Sequence, residues 1–172
     1  VILPAEIQER AGSVGSRGTG AIGVVQVAGG CVGRCSYCIT RLARGRLVSA
    51  PSEDILDAVR HLVASGAYEI RLTGQDVAAW GLDRGESLPE LLSAITDIPG
   101  RFAVRPGMMH PASVLGILKP LIDVYASNKI FGFLHIPVQS GSDAVLERMQ
   151  RGYRAADVIG IVDAFRERYP DM

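Results

Sequence analysis

The chain has 172 residues, one domain's worth at about 100–200 residues per domain. Its 18 Lys plus Arg cancel 18 Asp plus Glu, and at 48% hydrophobic and 21% charged it lies near average globular composition, which excludes a disordered chain and a wholly basic nucleic-acid wrapper. No apolar run approaches the roughly 18 residues of a membrane span and no leader or lipid signature shows, so no membrane partner is expected and the cytoplasm is the expected compartment.

In chain order, residues 1–21 have linker composition, with Gly12, Gly15, Gly18 and Gly20 among Ser and Arg. These glycines precede the first strand. A dinucleotide loop must follow a strand and open a helix, so that reading fails. Ile22–Val27 predicts a buried strand, and a cysteine-rich loop follows it. Pro51–Ser65 predicts a helix stopped by Gly66, and Tyr68–Thr73 a second strand. Ser87 and Glu90 form a capping box for a helix through Ile95 that Pro99 and Gly100 close. Phe102–Arg105 predicts a third strand, Pro111–Tyr125 a helix kinked by Pro120, and Phe131–Val138 a fourth strand. Helical segments at Ser142–Met149 and Ala155–Arg168 end the chain.

Strand, loop and helix repeated in this way predict an α/β fold with a parallel sheet. In such folds chemistry collects at the carboxyl ends of the strands. The loops at those ends, Cys31–Arg46, Gly74–Glu86, Pro106–His110 and Pro137–Ser142, carry nearly all the unusual residues.

The strongest signal is Cys31-Val-Gly-Arg-Cys35-Ser-Tyr-Cys38, which holds all three cysteines of the chain. Three thiolates on one glycine-flanked loop suit three corners of a cubane iron-sulfur cluster, leaving the fourth iron open to a substrate or cofactor. A structural zinc would need a fourth ligand, and His61, His110 and His135 each stand alone on other elements. A redox disulfide between Cys35 and Cys38 would leave Cys31 without a role.

This spacing resembles the radical S-adenosylmethionine (SAM) superfamily. That resemblance implies a partial TIM-like (βα) barrel of about four of six βα units over residues 22–172, with a 4Fe–4S cluster held by Cys31, Cys35 and Cys38. In the superfamily the open iron chelates the amino and carboxylate groups of SAM and delivers an electron that cleaves it to a 5′-deoxyadenosyl radical. Tyr37 matches the aromatic position beside the adenine, the alternative being a plain packing aromatic.

Three further segments, Leu72–Asp83, Arg105–Pro111 and His135–Asp143, are similar to the methylthiotransferases, most closely their archaeal and eukaryotic tRNA branch. The resemblance implies insertion of sulfur and a methyl group at C2 of N6-threonylcarbamoyladenosine beside the tRNA anticodon. It assigns Gly74, Gln75 and Asp76 to the amino end of SAM and Gln139 and Ser140 to its ribose or carboxylate, with Arg105 in the same pocket. For Asp76 and Arg105 a rim salt bridge is the alternative. His110 and His135 are expected to be structural, since the radical step needs no general base on the protein. Isopentenyl-adenosine tRNA, a ribosomal protein Asp, and an iron-sulfur module without turnover remain alternatives.

Arg34, Arg41, Arg44 and Arg46 stand between Gly29 and Ser52 with no acidic residue, and Arg148, Arg151 and Arg154 form a second group. The planar guanidinium fork suits phosphate, which makes the first group candidates for RNA contact, the alternative being solvated surface or contacts with SAM and the cluster. The resemblance further implies an N-terminal domain with a second 4Fe–4S cluster joined by the 1–21 linker, a C-terminal RNA-binding domain, and an external reductant. A truncated core is expected to leave Phe131–Val138 at an open edge, favouring a dimer or a swap of elements.

Overall fold

The structure is a computed structural model and describes residue 14 and residues 16–172. Most of the linker reading therefore lies outside the described residues, but its end is corrected. Ser16–Thr19 is a strand (β1), turned at Gly20 onto Ile22–Gln26 (β2) and antiparallel to it, Thr19 opposite Ile22. β2 alternates half-buried and buried residues. Glu69–Thr73 (β5) runs parallel beside it with Ile22 opposite Glu69, and Ala103–Pro106 (β6) runs parallel beside β5 with Glu69 opposite Ala103. The order β1-β2-β5-β6 never reverses after β2. Units added always on the same side are the arrangement of a barrel, not of a doubly wound sheet, in which the order turns back.

Ser52–Ala64 (α2) begins after Pro51, carries Glu53 and Asp54 in its first turn, and buries Ile55, Val59 and Leu62. It lies so close to β2 that a Cβ on Gly23 would stand 2.8 Å from a Leu62 methyl. Leu88–Thr96 (α3) starts at the expected box, Ser87 donating its N–H to the Glu90 carboxylate at 3.0 Å. Pro111–Val124 (α4) is kinked at Ile117, because Pro120 has no N–H to donate and its ring crowds the preceding turn. Asp143–Arg148 (α5) and Ala155–Arg168 (α6) follow, α6 resting on α4 with Phe165 edge-on to Tyr125 at 5.3 Å. Val25, Ile70, Leu72, Trp80, Leu92 and Val104 form the centre of one continuous core.

The expected fourth strand, Phe131–Val138, does not form a ladder. Val104 and Ile130 make one parallel bridge, with N–H bonds from Val104 to Lys129 and from Phe131 to Val104. The next rung would need the N–H of residue 106, which is proline and has none. Phe133 turns its own N–H back to the Phe131 carbonyl at 2.7 Å, and the segment rejoins its neighbour only where Met109 donates to His135.

Candidate functional site

The cysteine loop springs from the end of β2 and is pinned at its base. Ala28–Gly29 (β3) and Val48–Ser49 (β4) form a two-residue antiparallel ladder, Gly29 opposite Val48. Gly30, at φ +68°, passes so close to the other limb that a Cβ would lie 1.9 Å from the Arg46 carbonyl oxygen. Only glycine fits that crossing. Inside the loop the thiols of Cys31 and Cys35 flank Gly33, whose N–H donates to Cys31 Sγ at 3.2 Å. Thr40–Arg44 (α1) follows Cys38 directly.

A second anchor comes from the far end of the chain. Ser36 donates its N–H to the Met149 carbonyl at 3.0 Å and its hydroxyl to the Arg148 carbonyl at 2.9 Å, satisfying carbonyls that the end of α5 leaves free. There α5 ends in a Schellman motif: Arg151 donates to Leu146 at 3.0 Å and Gln150 to Glu147 at 2.8 Å, with Gln150 left-handed at φ 55° where glycine is usual. This turn aims the Arg151 side chain inward. It is only 6% exposed, and one of its terminal nitrogens donates to Cys35 Sγ at 3.1 Å and Tyr37 Oη at 3.2 Å. The other reaches the Pro137 carbonyl at 3.2 Å and Nε reaches Tyr153 Oη at 3.3 Å. Tyr153 donates its own hydroxyl hydrogen bond to the Val138 carbonyl.

These segments enclose a cavity of about 250 Å³ lined by Cys31, Cys35, Tyr37 and Cys38, by Gln75 and Asp76 from the loop after β5, by Met108 and His110 after β6, and by Pro137, Gln139 and Arg151. Most of the residues assigned from the sequence thus meet at one place. Gly74 stands just before them at the end of β5, and Gln139 faces the cavity in a left-handed conformation, φ 72°. Gly74 and two other assigned residues do not line it: the Arg105 guanidinium lies over the Phe133 ring at 4.6 Å, and the Ser140 hydroxyl accepts from Ser142 N–H at 3.1 Å. Asp76 lines the wall but spends its oxygens elsewhere, Oδ1 accepting from His110 N–H at 2.9 Å and Oδ2 from the Ser113 hydroxyl at 2.6 Å. Burial pushes its carboxyl above the usual range, and these bonds oppose the shift. Neither Asp76 nor Arg105 makes a salt bridge among the described residues.

Arg34, Arg41 and Arg46 converge on an adjoining cavity of about 320 Å³ that shares Cys31 with the first, while Arg44 does not line it. Arg148 and Arg154 are exposed. Arg151 does not belong with them, as the sequence grouping had it, because its partners are inside the site. Nothing local marks it, since Cys35 lies 116 residues away in sequence. His135 is exposed and contributes only its carbonyl.

Burial raises the Cys31 thiol, whereas hydrogen bonds from Thr40 lower that of Cys38. Burial, then the nearby Arg151 charge, brings His110 from its ordinary value near 6.5 to about 4. The neutral ring accepts from Ala112 N–H through Nδ1 at 3.2 Å, so its proton sits on Nε2.

Residues 25–171 match the family described as the Radical SAM superfamily. The chain belongs to that superfamily. Among curated proteins it is similar to the probable threonylcarbamoyladenosine tRNA methylthiotransferase of Methanothermobacter thermautotrophicus, 50% identical over 151 residues, covering 88% of this chain and 36% of that protein. The corresponding Archaeoglobus fulgidus protein is 46% identical over 153 residues, with the same coverage of 88% and 36%. The threonylcarbamoyladenosine tRNA methylthiotransferase of Drosophila melanogaster is 42% identical over 152 residues, covering 88% and 28%. The chain spans about a third of the length of these relatives. Its fold is that of the radical S-adenosylmethionine methyltransferase TsrM from Kitasatospora setae, at TM-score 0.68 and 21% identity over 87% of this chain and 29% of that one. The radical enzyme OxsB, solved with aqua-cobalamin bound, gives a TM-score of 0.68 at 15% identity over 85% of this chain and 22% of that one.

The superfamily implies a 4Fe–4S cluster with SAM, and the residues of this radical SAM domain fit both. Three thiols line a single cavity, and among the described residues no three or more His, Cys, Asp or Glu converge as a mononuclear ion would demand. Beside the thiols, Gln75 Oε1 and His110 Nε2 are buried without hydrogen-bond partners. Buried polar atoms are almost always paired, so two orphans in one cavity wall mark where a polar ligand belongs.

Proposed function

We propose that this chain is the radical SAM core of a tRNA methylthiotransferase, acting within a longer enzyme on N6-threonylcarbamoyladenosine beside the anticodon. The observation that carries the reading is the convergence of the three cysteines with Tyr37, Gln75 and Gln139 on one cavity. The names and identities of the relatives support the substrate.

When bound, the cluster and SAM supply the radical chemistry, and the protein supplies placement. Cys31, Cys35 and Cys38 hold the cluster, and Gly30 and Ser36 hold the loop that presents them. Gln75 Oε1 is an acceptor for the ammonium of SAM, and His110 Nε2–H a donor for its carboxylate. Tyr37, half exposed at the cavity mouth, would flank the adenine, Gln139 would border the ribose, and Gly74 would lie beside Gln75 at the amino end of SAM. Asp76 acts through His110, whose backbone it fixes. Arg105 belongs to the rim.

Arg34, Arg41 and Arg46 meet the phosphates of the anticodon loop next to the cavity. An N-terminal domain with a second 4Fe–4S cluster and an external reductant complete the turnover. Among the described residues no helix is long and apolar enough to cross a membrane, and a tRNA substrate supports the cytoplasm as the compartment.

Reconstitution of the chain with iron and sulfide under argon, followed by dithionite and SAM, tests the core. SAM binding and 5′-deoxyadenosine are expected, both lost in Cys35→Ala; a chain that takes up iron and sulfide but neither binds nor cleaves SAM overturns the reading. For the substrate, tRNA from cells lacking the full-length gene is hydrolysed for mass spectrometry. Loss of the 2-methylthio group from N6-threonylcarbamoyladenosine alone is expected, and loss from isopentenyl adenosine or from a ribosomal protein Asp overturns it.

A further inference from the structure

Arg151 is a buried cation with no carboxylate partner among the described residues. Burying a guanidinium is costly unless an anion and hydrogen-bond acceptors compensate it. Its acceptors are the Cys35 sulfur, two tyrosine hydroxyls and one carbonyl, at 3.1–3.3 Å; none of them is a carboxylate, and Cys35 would supply a negative charge once its sulfur ligates a cluster. The backbone is committed to this placement. Gln150 on one side and Gly152 on the other are both left-handed, φ 55° and 70°, and the Gln150 conformation is one that residues with a Cβ rarely adopt. The same turn receives the Ser36 bonds, so the cation and the cysteine loop are locked to one frame.

We infer that Arg151 is a positioning residue of the cysteine site: it compensates the charge of the thiolate ligand set through its N–H bond to Cys35 and so raises the potential at which a cluster held there is reduced. Hydrogen bonds to sulfur and nearby positive charge both favour the reduced form of an iron-sulfur centre. The inference rests on the proposal that the cysteines hold a cluster. The step concerned is a one-electron reduction with the electron supplied by dithionite, and no proton or group is transferred.

The test is an anaerobic redox titration of the reconstituted 172-residue chain followed by electron paramagnetic resonance. Arg151→Gln, which removes the charge, is expected to shift the reduction equilibrium at least tenfold toward the oxidised form, about 59 mV for a one-electron couple. Arg151→Lys, which keeps the charge, is expected to hold most of the potential. Cluster content equal to the unsubstituted chain with an unchanged potential in Arg151→Gln overturns the inference. Absence of any cluster signal in the unsubstituted chain fails the underlying cluster reading instead. Should the variants not fold, the unsubstituted chain labelled with guanidinium nitrogen-15 arginine decides. A hyperfine coupling between that nitrogen and the reduced cluster is expected, and a cluster signal without such coupling overturns the inference.

Discussion

The Ser36 hydroxyl donates to the Arg148 carbonyl at 2.9 Å, joining residues 112 positions apart and fastening the cysteine loop to the end of α5. The bond is exposed, so its worth is modest, about 0.5–1 kcal/mol. Ser36→Ala is expected to lower the unfolding free energy of the apo chain, read from urea denaturation, by that amount. Ser36→Pro, which also removes the N–H that reaches Met149, is expected to cost more and to reduce iron retention on gel filtration after reconstitution. A Pro variant as stable and as iron-rich as the unsubstituted chain contradicts the anchoring role.

Gly30 is the tighter constraint. Any Cβ there meets the Arg46 carbonyl at 1.9 Å, in a backbone conformation that already disfavours side chains. Gly30→Ala is expected to destabilise the apo chain by about 2–4 kcal/mol, the range of mutations that force both strain and a backbone shift. Because the clash opens the base of the loop, iron binding should fall with it. Gly85→Ala, also left-handed at φ +73° but in open space, serves as the control and should cost less.

His110 gives the apo chain a pH signature. Its folded value near 4 lies below its ordinary value near 6.5, so between these the unfolded chain binds a proton that the folded chain refuses. The resulting stability is fully present above pH ~6.5 and is lost as pH falls toward 4, up to about 2 kcal/mol after allowance for partial exposure. Asp76, whose carboxyl burial raises, works in the opposite sense, while Arg151 keeps its charge throughout. Urea unfolding at pH 7, 6 and 5 is expected to show a steeper acid loss in the unsubstituted chain than in His110→Asn, which keeps a helix-capping side chain. Parallel curves refute the assignment.

The segment after Ile130 predicts association. Phe131 and Phe133 are 37% and 42% exposed, beside an edge of β6 left without a ladder partner beyond Val104. Sedimentation velocity of the chain is expected to show concentration-dependent self-association, reduced by Phe131→Lys. A single monomeric species at every concentration counts against it.

Much of this was legible in the sequence because the signals are local. The Ser87–Glu90 box, the glycine stop of α2 and the Pro120 kink each follow from neighbours a few residues apart, and three cysteines within one loop need no tertiary information. What escaped was non-local. Arg151 reads as one more basic residue until α5 turns it onto Cys35, and Asp76 reads as a ligand until α4 brings His110 and Ser113 to its oxygens. The apolar run from Phe131 to Val138 has strand composition, yet the missing N–H at position 106 of its neighbour stops the ladder. Ser16–Thr19 was hidden among glycines whose composition says linker, while its pairing is set by the strand that follows.

β1 also has a geometric consequence. Because it takes the free side of β2 in the antiparallel sense, the hydrogen-bonding groups that a returning last strand would need are already engaged. The sheet is thereby committed to an arc that can lengthen only beyond β6, and an arc has a gap. For the substrate proposed above, a folded RNA too wide for the mouth of a closed ring, such a gap would be a side entrance through which one nucleotide reaches the cysteines.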